Sequence, residues 1–208
     1  MVFRFFGMRQ CDSRLKLLRT AHELIYRQSY GSVGVDQICE RSGVKKGSFY
    51  HFFRSKSDLT VAAYQDHWDQ MRIQWEAIFS SSLAPLQKID AYLDFVLEAQ
   101  RERLEKYGRL LGCPFVSLGS ELSTQNEQIR RMAQEICDHR CAYLARTLGD
   151  AMAAGQVAEA DPEFLAYELH SYVMGLVQQA KIANDPRVLD RLKPGVYRML
   201  RLQQSVPA

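Results

Sequence analysis

The strongest structural signal in the chain lies in Val35–Phe53, which reads VDQICERSGVKKGSFYHFF. Two short helical segments flank Gly43, and glycine tolerates the positive φ that a tight turn between two crossing helices requires. Apolar side chains at Ile38, Val44 and Phe49 have the spacing of an inward face that packs on a preceding helix. The stretch therefore predicts a helix-turn-helix.

Polar side chains occupy the opposite face of the second helix in this stretch. The hydrogen-bond donors there, which suit phosphates and base edges, are Lys45, Lys46, Ser48, Tyr50 and His51. Ser55 then reads as the N-cap of the next helix, with Asp58 at its third position. A helix N-terminus that carries Lys56 favours a bound phosphate. The alternative for each basic residue is an ordinary solvated surface charge.

The basic charge of the chain is concentrated around this motif. The 208 residues hold 27 Lys or Arg and 24 Asp or Glu, of which residues 1–59 hold 11 basic and 5 acidic. A small basic head on a mildly acidic remainder favours a polyanionic partner. Chance clustering of charge is the alternative, and the helix-turn-helix pattern argues against it.

Composition and periodicity set the fold class. Apolar residues make up 47% of the chain and charged residues 25%, which is typical of a globular protein rather than a disordered or collagenous one. Helical spacing appears almost everywhere and strand alternation almost nowhere, so the prediction is all-α. No run reaches the 18 apolar residues of a membrane span, and the opening residues lack a secretory core. We therefore expect a cytoplasmic location and reduced cysteines.

Capping residues and prolines predict where the other helices begin or kink. Ser13 reads as the start of helix 1, and Asp161-Pro162 and Asp185-Pro186 each place a capping Asp before a Pro at the first helical position. The last helix is predicted over about Pro186–Leu202, with a kink at Pro194.

The segment GVKKGSFYHFFRSKSDL, together with Arg14–Ser29 and Val35–Ser42, resembles the DNA-reading part of TetR-family transcriptional regulators. The resemblance implies a homodimeric repressor that binds a double-stranded DNA operator, not an enzyme, with a three-helix head joined to a larger helical ligand-binding and dimerisation body. It implies DNA contacts at Lys46, Tyr50, His51 and Lys56, with Ser48 as a further contact.

On this basis the chain divides into an N-terminal arm (residues 1–12), a helix-turn-helix domain (13–60) and a body (61–208). Two apolar stripes in the body resemble the helices that form a four-helix dimer interface in this family, and a core within one chain is the alternative. The stripes comprise Leu165, Leu169, Tyr172, Leu176 and Gln179 on one helix, and Val188, Leu192, Val196 and Leu200 on the next.

Aromatic residues crowd the middle of the chain, where the resemblance implies a cavity for a small-molecule inducer. The candidates to line it are Trp68, Trp75, Phe79, Tyr92, Phe95, Tyr107 and Phe115. Residues at helical spacing also form ordinary core, so that alternative stays open for each of them. A regulator of a reversible hydrophobic ligand would need such a cavity and no reactive cysteine.

Cys113 is the most suggestive thiol in the chain. Pro114 suits the first position of a helix, which makes Cys113 its N-cap, where backbone N–H groups favour a thiolate. An inert buried cysteine is the alternative. The residues around Cys113, with Gln179–Ile182, resemble the NemR-like, electrophile-responsive subgroup of the family. This resemblance implies that Cys113 senses an electrophile or oxidant and that Lys181 stabilises its thiolate.

Enzymatic and metal sites find little support in the sequence. Cys137 and Cys141 share a helix face, as half of a metal site would, but no further ligand pair accompanies them and packing is favoured. Phosphate loops, His-Glu-x-x-His and nucleophile-elbow motifs are absent from the sequence. We expect no metal and no cofactor. A helical binding module or an enzyme without DNA function is the remote alternative.

Overall fold

The computed structural model describes the backbone of residues 2–201 and the side chains of residues 12–201. Within these residues the chain forms α-helices, one 3-10 helix and no strand, which confirms the all-α prediction. The helices are α1 (Val2–Gln28), α2 (Val35–Ser42), α3 (Lys46–Phe52), α4 (Lys56–Phe79), α5 (Pro85–Tyr107), α6 (Pro114–Leu122), α7 (Glu127–Ala153), α8 (Pro162–Ala183), the 3-10 helix (Pro186–Arg191) and α9 (Leu192–Met199). None of the described helices combines the length and apolar character needed to cross a membrane.

The chain separates into two compact units. The head unit runs up to Met71 and also takes in Ser117–Gln134, and the body unit comprises Arg72–Val116 and the chain from Glu135 onwards. The head unit therefore contains more than the helix-turn-helix, because the end of α6 and the start of α7 belong to it.

The helix-turn-helix forms as its sequence predicts. Gly43 ends α2 with φ +67°, and its N–H donates to the carbonyl of Glu40 at 3.2 Å. Ile38 and Phe49 are fully buried, and α1, α2 and α3 contact one another. Burial of a side chain such as Phe49 contributes about 1.5–3 kcal/mol. These contacts fix α3 so that its other face is exposed.

Polar caps begin several helices where the sequence places them. Ser55 Oγ accepts a hydrogen bond from the N–H of Asp58 at 3.0 Å, at the start of α4. The carboxylate of Asp161 accepts from the N–H groups of Glu163 and Phe164 at the start of α8. Such caps satisfy backbone donors that a helix cannot bond internally.

Two helix boundaries differ from the prediction. Helix α1 begins at Val2, so Ser13 lies inside it and residues 2–12 of the predicted arm are helical; the side chains of Arg4 and Arg9 lie outside the described residues. The last predicted helix starts as a 3-10 helix and becomes α-helical at Leu192. Pro194 then falls in the first turn of α9, where a missing N–H costs nothing and no kink is needed.

The two predicted dimer stripes are partly buried within the body unit. The buried members are Leu169, Leu192, Val196 and Leu200, whereas Leu165, Tyr172, Leu176 and Val188 are half-buried and Gln179 is exposed. Leu169, Leu192 and Val196 are 0% exposed in the single chain. The side of α8 that remains exposed carries other residues, the largest apolar ones being Phe164, Tyr167 and Ile182. These residues and Gly175 recur at helical spacing, so they form one continuous outward face.

Candidate nucleic-acid interface and buried thiol

The polar face of α3 is exposed, as the sequence predicts. Lys45, Lys46, Tyr50 and His51 are all exposed, while Ser48 is half-buried. Phe49 anchors the opposite face and is fully buried. The structure thus brings five of the six predicted DNA-contact residues together on α3 and its N-cap.

Lys46 pairs with an acidic residue of the preceding helix. Its Nζ lies 2.6 Å from Asp36 Oδ1, and this hydrogen bond is the main cause that raises the pKa of Lys46. Both side chains are more than half exposed. Water screens such a pair, so a phosphate can compete with Asp36 for the ammonium.

Lys56, the sixth predicted contact, is tied to the turn between α1 and α2. Its Nζ donates to the carbonyls of Tyr30 and Val33, both at 2.9 Å, and lies 3.8 Å from the centre of the Tyr30 ring. Burial lowers the pKa of Lys56, while the charge of Glu121 opposes that shift. Since an ammonium has three donors, these two carbonyls account for two of them.

Glu121, in the last helical turn of α6, also binds the loop between α1 and α2. Its carboxylate accepts hydrogen bonds from the N–H groups of Tyr30 at 3.1 Å and Gly31 at 2.9 Å. The sequence analysis missed this residue, because about ninety positions separate the partners and no local pattern connects them. The α1–α2 turn is therefore held by Glu121 and Lys56 together.

Cys113 precedes α6 and is buried, with 6% of its surface exposed. Burial raises the pKa of its thiol, but the Arg140 guanidinium and hydrogen bonds from the Val116 and Phe115 N–H groups outweigh it, and the net shift is downward. These N–H donors are those that an N-cap residue meets. The result favours a thiolate inside the body unit.

Arg140, in the middle of α7, contacts the thiol directly with its side chain. Its Nη1 donates to Cys113 Sγ at 3.3 Å, and the side chain is 2% exposed. The guanidinium carbon lies 4.6 Å from the centre of the Phe115 ring and 5.5 Å from that of Trp75. The sequence analysis did not single out Arg140, because an arginine within a helix usually faces solvent.

Lys181, the predicted partner of the thiolate, lies beside the residue before Cys113. A Cβ atom built on Gly112 would clash with Gln178 Oε1 and would lie 3.0 Å from Lys181 Cδ. With φ +76°, Gly112 also has a backbone conformation that favours glycine. The stem of Lys181 therefore packs close to this segment.

The candidate cavity aromatics have separate environments. Trp75 and Phe79 contact each other and both contact Tyr92 and Tyr143 in the body unit, at ring-centre distances between 5.1 and 6.1 Å. Trp68 is buried in the head unit, and Phe95 and Tyr107 are half-buried. A cavity of about 280 Å³ in the body unit is lined by α5, the 3-10 helix and α9, and the candidate aromatics do not line it.

Two buried polar side chains lie near Arg140 without hydrogen-bond partners in the described part of the chain. They are the hydroxyl of Tyr92 and both ring nitrogens of His170. Burial raises the pKa of Tyr92, and it lowers the pKa of His170 to about 3, a shift to which the charge of Arg140 adds. Both groups are therefore neutral at pH 7.

Cys137 and Cys141 lie on α7 near Arg140 and are half-buried. Burial is the largest cause that raises the pKa of both thiols, for Cys141 to about 11. Among the residues whose side chains are described, no group of three or more metal-ligating side chains comes together.

Comparison with known proteins identifies the family. Residues 17–63 match the model of bacterial regulatory proteins of the tetR family, and residues 85–196 match that of the tetracyclin repressor-like C-terminal domain. The transcriptional regulator AcuR of Cereibacter sphaeroides is 30% identical over 174 residues, which cover 82% of this chain and 77% of AcuR. The transcriptional repressor NemR of Escherichia coli is 28% identical over 122 residues, or 57% of this chain and 58% of NemR.

Solved structures give the same result for the fold. A regulatory protein TetR from Rhodobacter sphaeroides superposes with a TM-score of 0.80 and 27% identity, covering 90% of this chain and 98% of the other. Reduced E. coli NemR superposes with a TM-score of 0.79 and 25% identity, covering 91% and 98%. Regulators of this family bind DNA operators and act as dimers, and they are not enzymes. The chain belongs to the TetR family of DNA-binding transcriptional regulators.

Proposed function

We propose that this regulator is a repressor that leaves its operator when Cys113 is modified by an electrophile or oxidant. The observation that carries the proposal is the hydrogen bond from buried Arg140 to Cys113 Sγ at 3.3 Å. Thiolates, rather than thiols, attack electrophiles, and a guanidinium next to the sulfur favours the thiolate. Because Cys113 is buried, we expect small reagents to reach it while the body unit opens locally.

The α3 face supplies the contacts to DNA in this proposal. Lys46 contacts a phosphate, and Tyr50 and His51 reach base edges, because their side chains are exposed on the same surface. Lys45 and Ser48 add contacts at the N-terminal end of the helix. Lys56 supports this surface by holding the α1–α2 turn and contributes its charge at the start of α4.

The exposed face of α8 supports dimerisation. Phe164, Tyr167 and Ile182 are each more than 60% exposed in the single chain, which is unusual for a row of large apolar side chains outside an interface. Gly175 in the same row allows a second helix to approach closely. A symmetric dimer then reads two half-sites of a pseudo-palindrome, about 34 Å or a multiple of that apart.

Helix α6 provides the route from the thiol to the DNA-reading surface. Its first residue follows Cys113, and its last turn carries Glu121, whose carboxylate binds the α1–α2 turn. A short continuous helix moves as one rigid element, so a displacement at Cys113 pulls on that turn. Couplings of this kind amount to about 1–3 kcal/mol between sites.

A second candidate is release by a reversible small ligand bound in the body unit. It is supported by the buried Tyr92 hydroxyl and His170 nitrogens, which have no hydrogen-bond partner among the described residues. Buried polar groups of this kind normally find one. In this case Cys113 plays no part in the response.

The experiment is fluorescence anisotropy with the DNA upstream of the protein's own coding sequence. The wild type, Cys113→Ser and Cys137→Ser are treated with N-ethylmaleimide or hypochlorite, and Cys137→Ser serves as the matched control because it removes a neighbouring thiol. Release of the wild type and Cys137→Ser, with retention by Cys113→Ser, supports the proposal. Retention by all three overturns the thiol mechanism and leaves the reversible ligand.

A further inference from the structure

The cavity of about 280 Å³ in the body unit has the features of a binding site that the thiol mechanism does not use. We propose that it binds a small uncharged molecule with an apolar body and one hydroxyl or amide group, which forms a hydrogen bond with Gln100. Neither Cys113 nor Arg140 lines this cavity. The site is therefore separate from the thiol and does not depend on the response of Cys113.

The walls of the cavity are mostly apolar. They come from the second half of α5, the segment before α6, the 3-10 helix and the start of α9. The apolar lining residues are Leu97, Leu104, Leu110, Pro186 and Leu189, of which Leu110 and Leu189 are buried. Ligand pockets in proteins span about 300–1,000 Å³, so this cavity suits a molecule at the small end of that range.

Gln100 supplies the buried polar group of the cavity. The residue is 5% exposed, and its Oε1 has no hydrogen-bond partner among the described residues. Buried polar side chains normally find a partner, and a buried acceptor without one lowers stability. Because Gln100 lines the cavity, a bound molecule is able to reach this amide and satisfy it.

The chemistry of an amide sets the group that the ligand presents. The Oε1 atom of Gln100 accepts hydrogen bonds, and the adjacent Nε2 donates them. A hydroxyl or an amide both donates and accepts, so either group matches this side chain. A purely apolar molecule would leave Oε1 unsatisfied and would gain only its contact with the leucines.

The cations at the cavity already have partners of opposite charge. Lys193 Nζ lies 2.7 Å from Asp94 Oδ1, and Arg101 pairs with Glu98. Asp190 is the third charged residue of the lining and is exposed, so water screens its carboxylate. The site therefore favours a neutral ligand over an anion or a cation.

The test uses one alkyl chain with three head groups, in the form of hexanol, hexylamine and hexanoate. Methyl NMR on the full-length protein follows binding, with the methyl groups of Leu104 and Leu189 as local reporters. We expect hexanol to shift both signals with a dissociation constant on the order of 1 mM or lower. At pH 7 the amine and the carboxylate are charged, and each should bind at least about fivefold more weakly.

Two variants locate the bound molecule. Leu104→Trp fills the cavity, so hexanol should no longer shift the Leu189 signals. Gln100→Leu keeps a side chain of similar volume but removes the amide, and it should bind hexanol at least about fivefold more weakly. Gln128→Leu, at an exposed position of α7, is the matched control and should bind hexanol as the wild type does.

Urea unfolding separates a ligand-binding role of Gln100 from a structural role. If the amide is unsatisfied in the free protein, Gln100→Leu should keep or raise the unfolding midpoint. A lower midpoint means that Gln100 already has a partner in the folded chain, and it overturns the proposal. Unmoved methyl signals with hexanol, equally tight binding of a charged analogue, or unchanged hexanol binding by Gln100→Leu would each overturn it as well.

Discussion

Two cationic side chains, one in each unit, have partners at similar distances but in different surroundings. In the head unit, Lys46 lies 2.6 Å from Asp36, and both side chains are more than half exposed. In the body unit, Arg140 lies 3.3 Å from the Cys113 sulfur, and the residues are 2% and 6% exposed. The longer contact is the stronger constraint, because water screens the first pair and is excluded from the second.

The difference separates the tasks of the two units. A solvated pair exchanges partners at little cost, so Lys46 is able to leave Asp36 for a phosphate. A buried guanidinium that loses a hydrogen-bond partner cannot replace it with bulk water, so the loss is costly. We infer that the exposed pair suits reversible DNA contact, whereas the buried pair suits a switch with two discrete states.

The largest expected effect comes from breaking the buried pair. Arg140→Leu should lower the free energy of unfolding by on the order of 3 kcal/mol, since it removes a buried partner and its packing on two rings. Arg146→Leu, at an exposed position of α7, is the control and should have little effect. Urea denaturation measures both, and equal midpoints for the two variants would contradict the account.

The same substitution should change the reactivity of the thiol. Without the guanidinium the pKa of Cys113 rises, so the rate of alkylation should increase with pH over a higher range than in the wild type. The pH–rate profile of the Cys113 peptide, followed by mass spectrometry, measures this shift. An unchanged pH–rate profile would mean that Arg140 does not stabilise the thiolate of Cys113.

The stability of the protein in acid should show how strongly burial in the body unit disfavours a charged His170. Burial lowers the pKa of His170 from 6.5 to about 3 in the folded chain. Between these two pH values the unfolded chain binds a proton at His170 that the folded chain does not. Stability should therefore fall as the pH drops below 6.5, by up to about 1.4 kcal/mol per pH unit from this residue.

The variant His170→Leu should reduce this loss of stability in acid, whereas His139→Leu, at an exposed position of α7, should not. Urea unfolding at pH 7 and pH 5 compares the two variants with the wild type. If all three lose the same stability between these pH values, His170 is not the buried neutral group that the account requires.

Within the head unit, substituting a base-contacting residue and substituting a phosphate-contacting residue should have different effects on operator and random DNA. His51→Ala should cost about 1–3 kcal/mol on the operator and relax discrimination at one base position. Lys46→Ala should weaken binding to operator and random DNA alike and reduce the salt slope by about one. Anisotropy with both DNAs at several salt concentrations measures this. Equal losses of affinity on both DNAs for both variants would contradict the assignment of His51 to a base and of Lys46 to a phosphate.

The smallest expected effect comes from breaking the exposed pair. Asp36→Asn should leave the unfolding midpoint nearly unchanged, because water already screens the pair. It should raise DNA affinity on the order of threefold, since a carboxylate near the DNA disappears and Lys46 no longer leaves a partner. Glu40→Gln, an exposed acid on the same helix, is the control. A large loss of stability in Asp36→Asn would erase the contrast between the units.

The sequence predicts the head well because its determinants are local. The turn glycine Gly43, the cap Ser55 and the exposed face of α3 each depend on residues a few positions away. The thiol site in the body unit and the support of the α1–α2 turn in the head unit depend on partners far apart in the chain. Arg140 follows Cys113 by 27 positions, and Glu121 contacts a turn about ninety positions before it. No periodicity encodes such pairs, so they emerge only with the fold.

The dimer face shows a similar limit. Leu169 and Val196 fit a helical stripe equally well whether that stripe faces a partner or the chain's own core, and in the structure they are buried within the body unit. Periodicity reveals that a face is apolar but not what covers it. Only the packing of the other helices leaves Phe164 and Tyr167 on the outside.

The claim that Cys113 is the sensor is tested by anisotropy with the upstream DNA, before and after treatment with N-ethylmaleimide, on the wild type and on Cys113→Ser. The account predicts that the treated wild type loses about tenfold or more in affinity, whereas Cys113→Ser, which has no thiol at this position, stays bound. An equal response of the two proteins would contradict the claim that modification of Cys113 takes the regulator off its DNA.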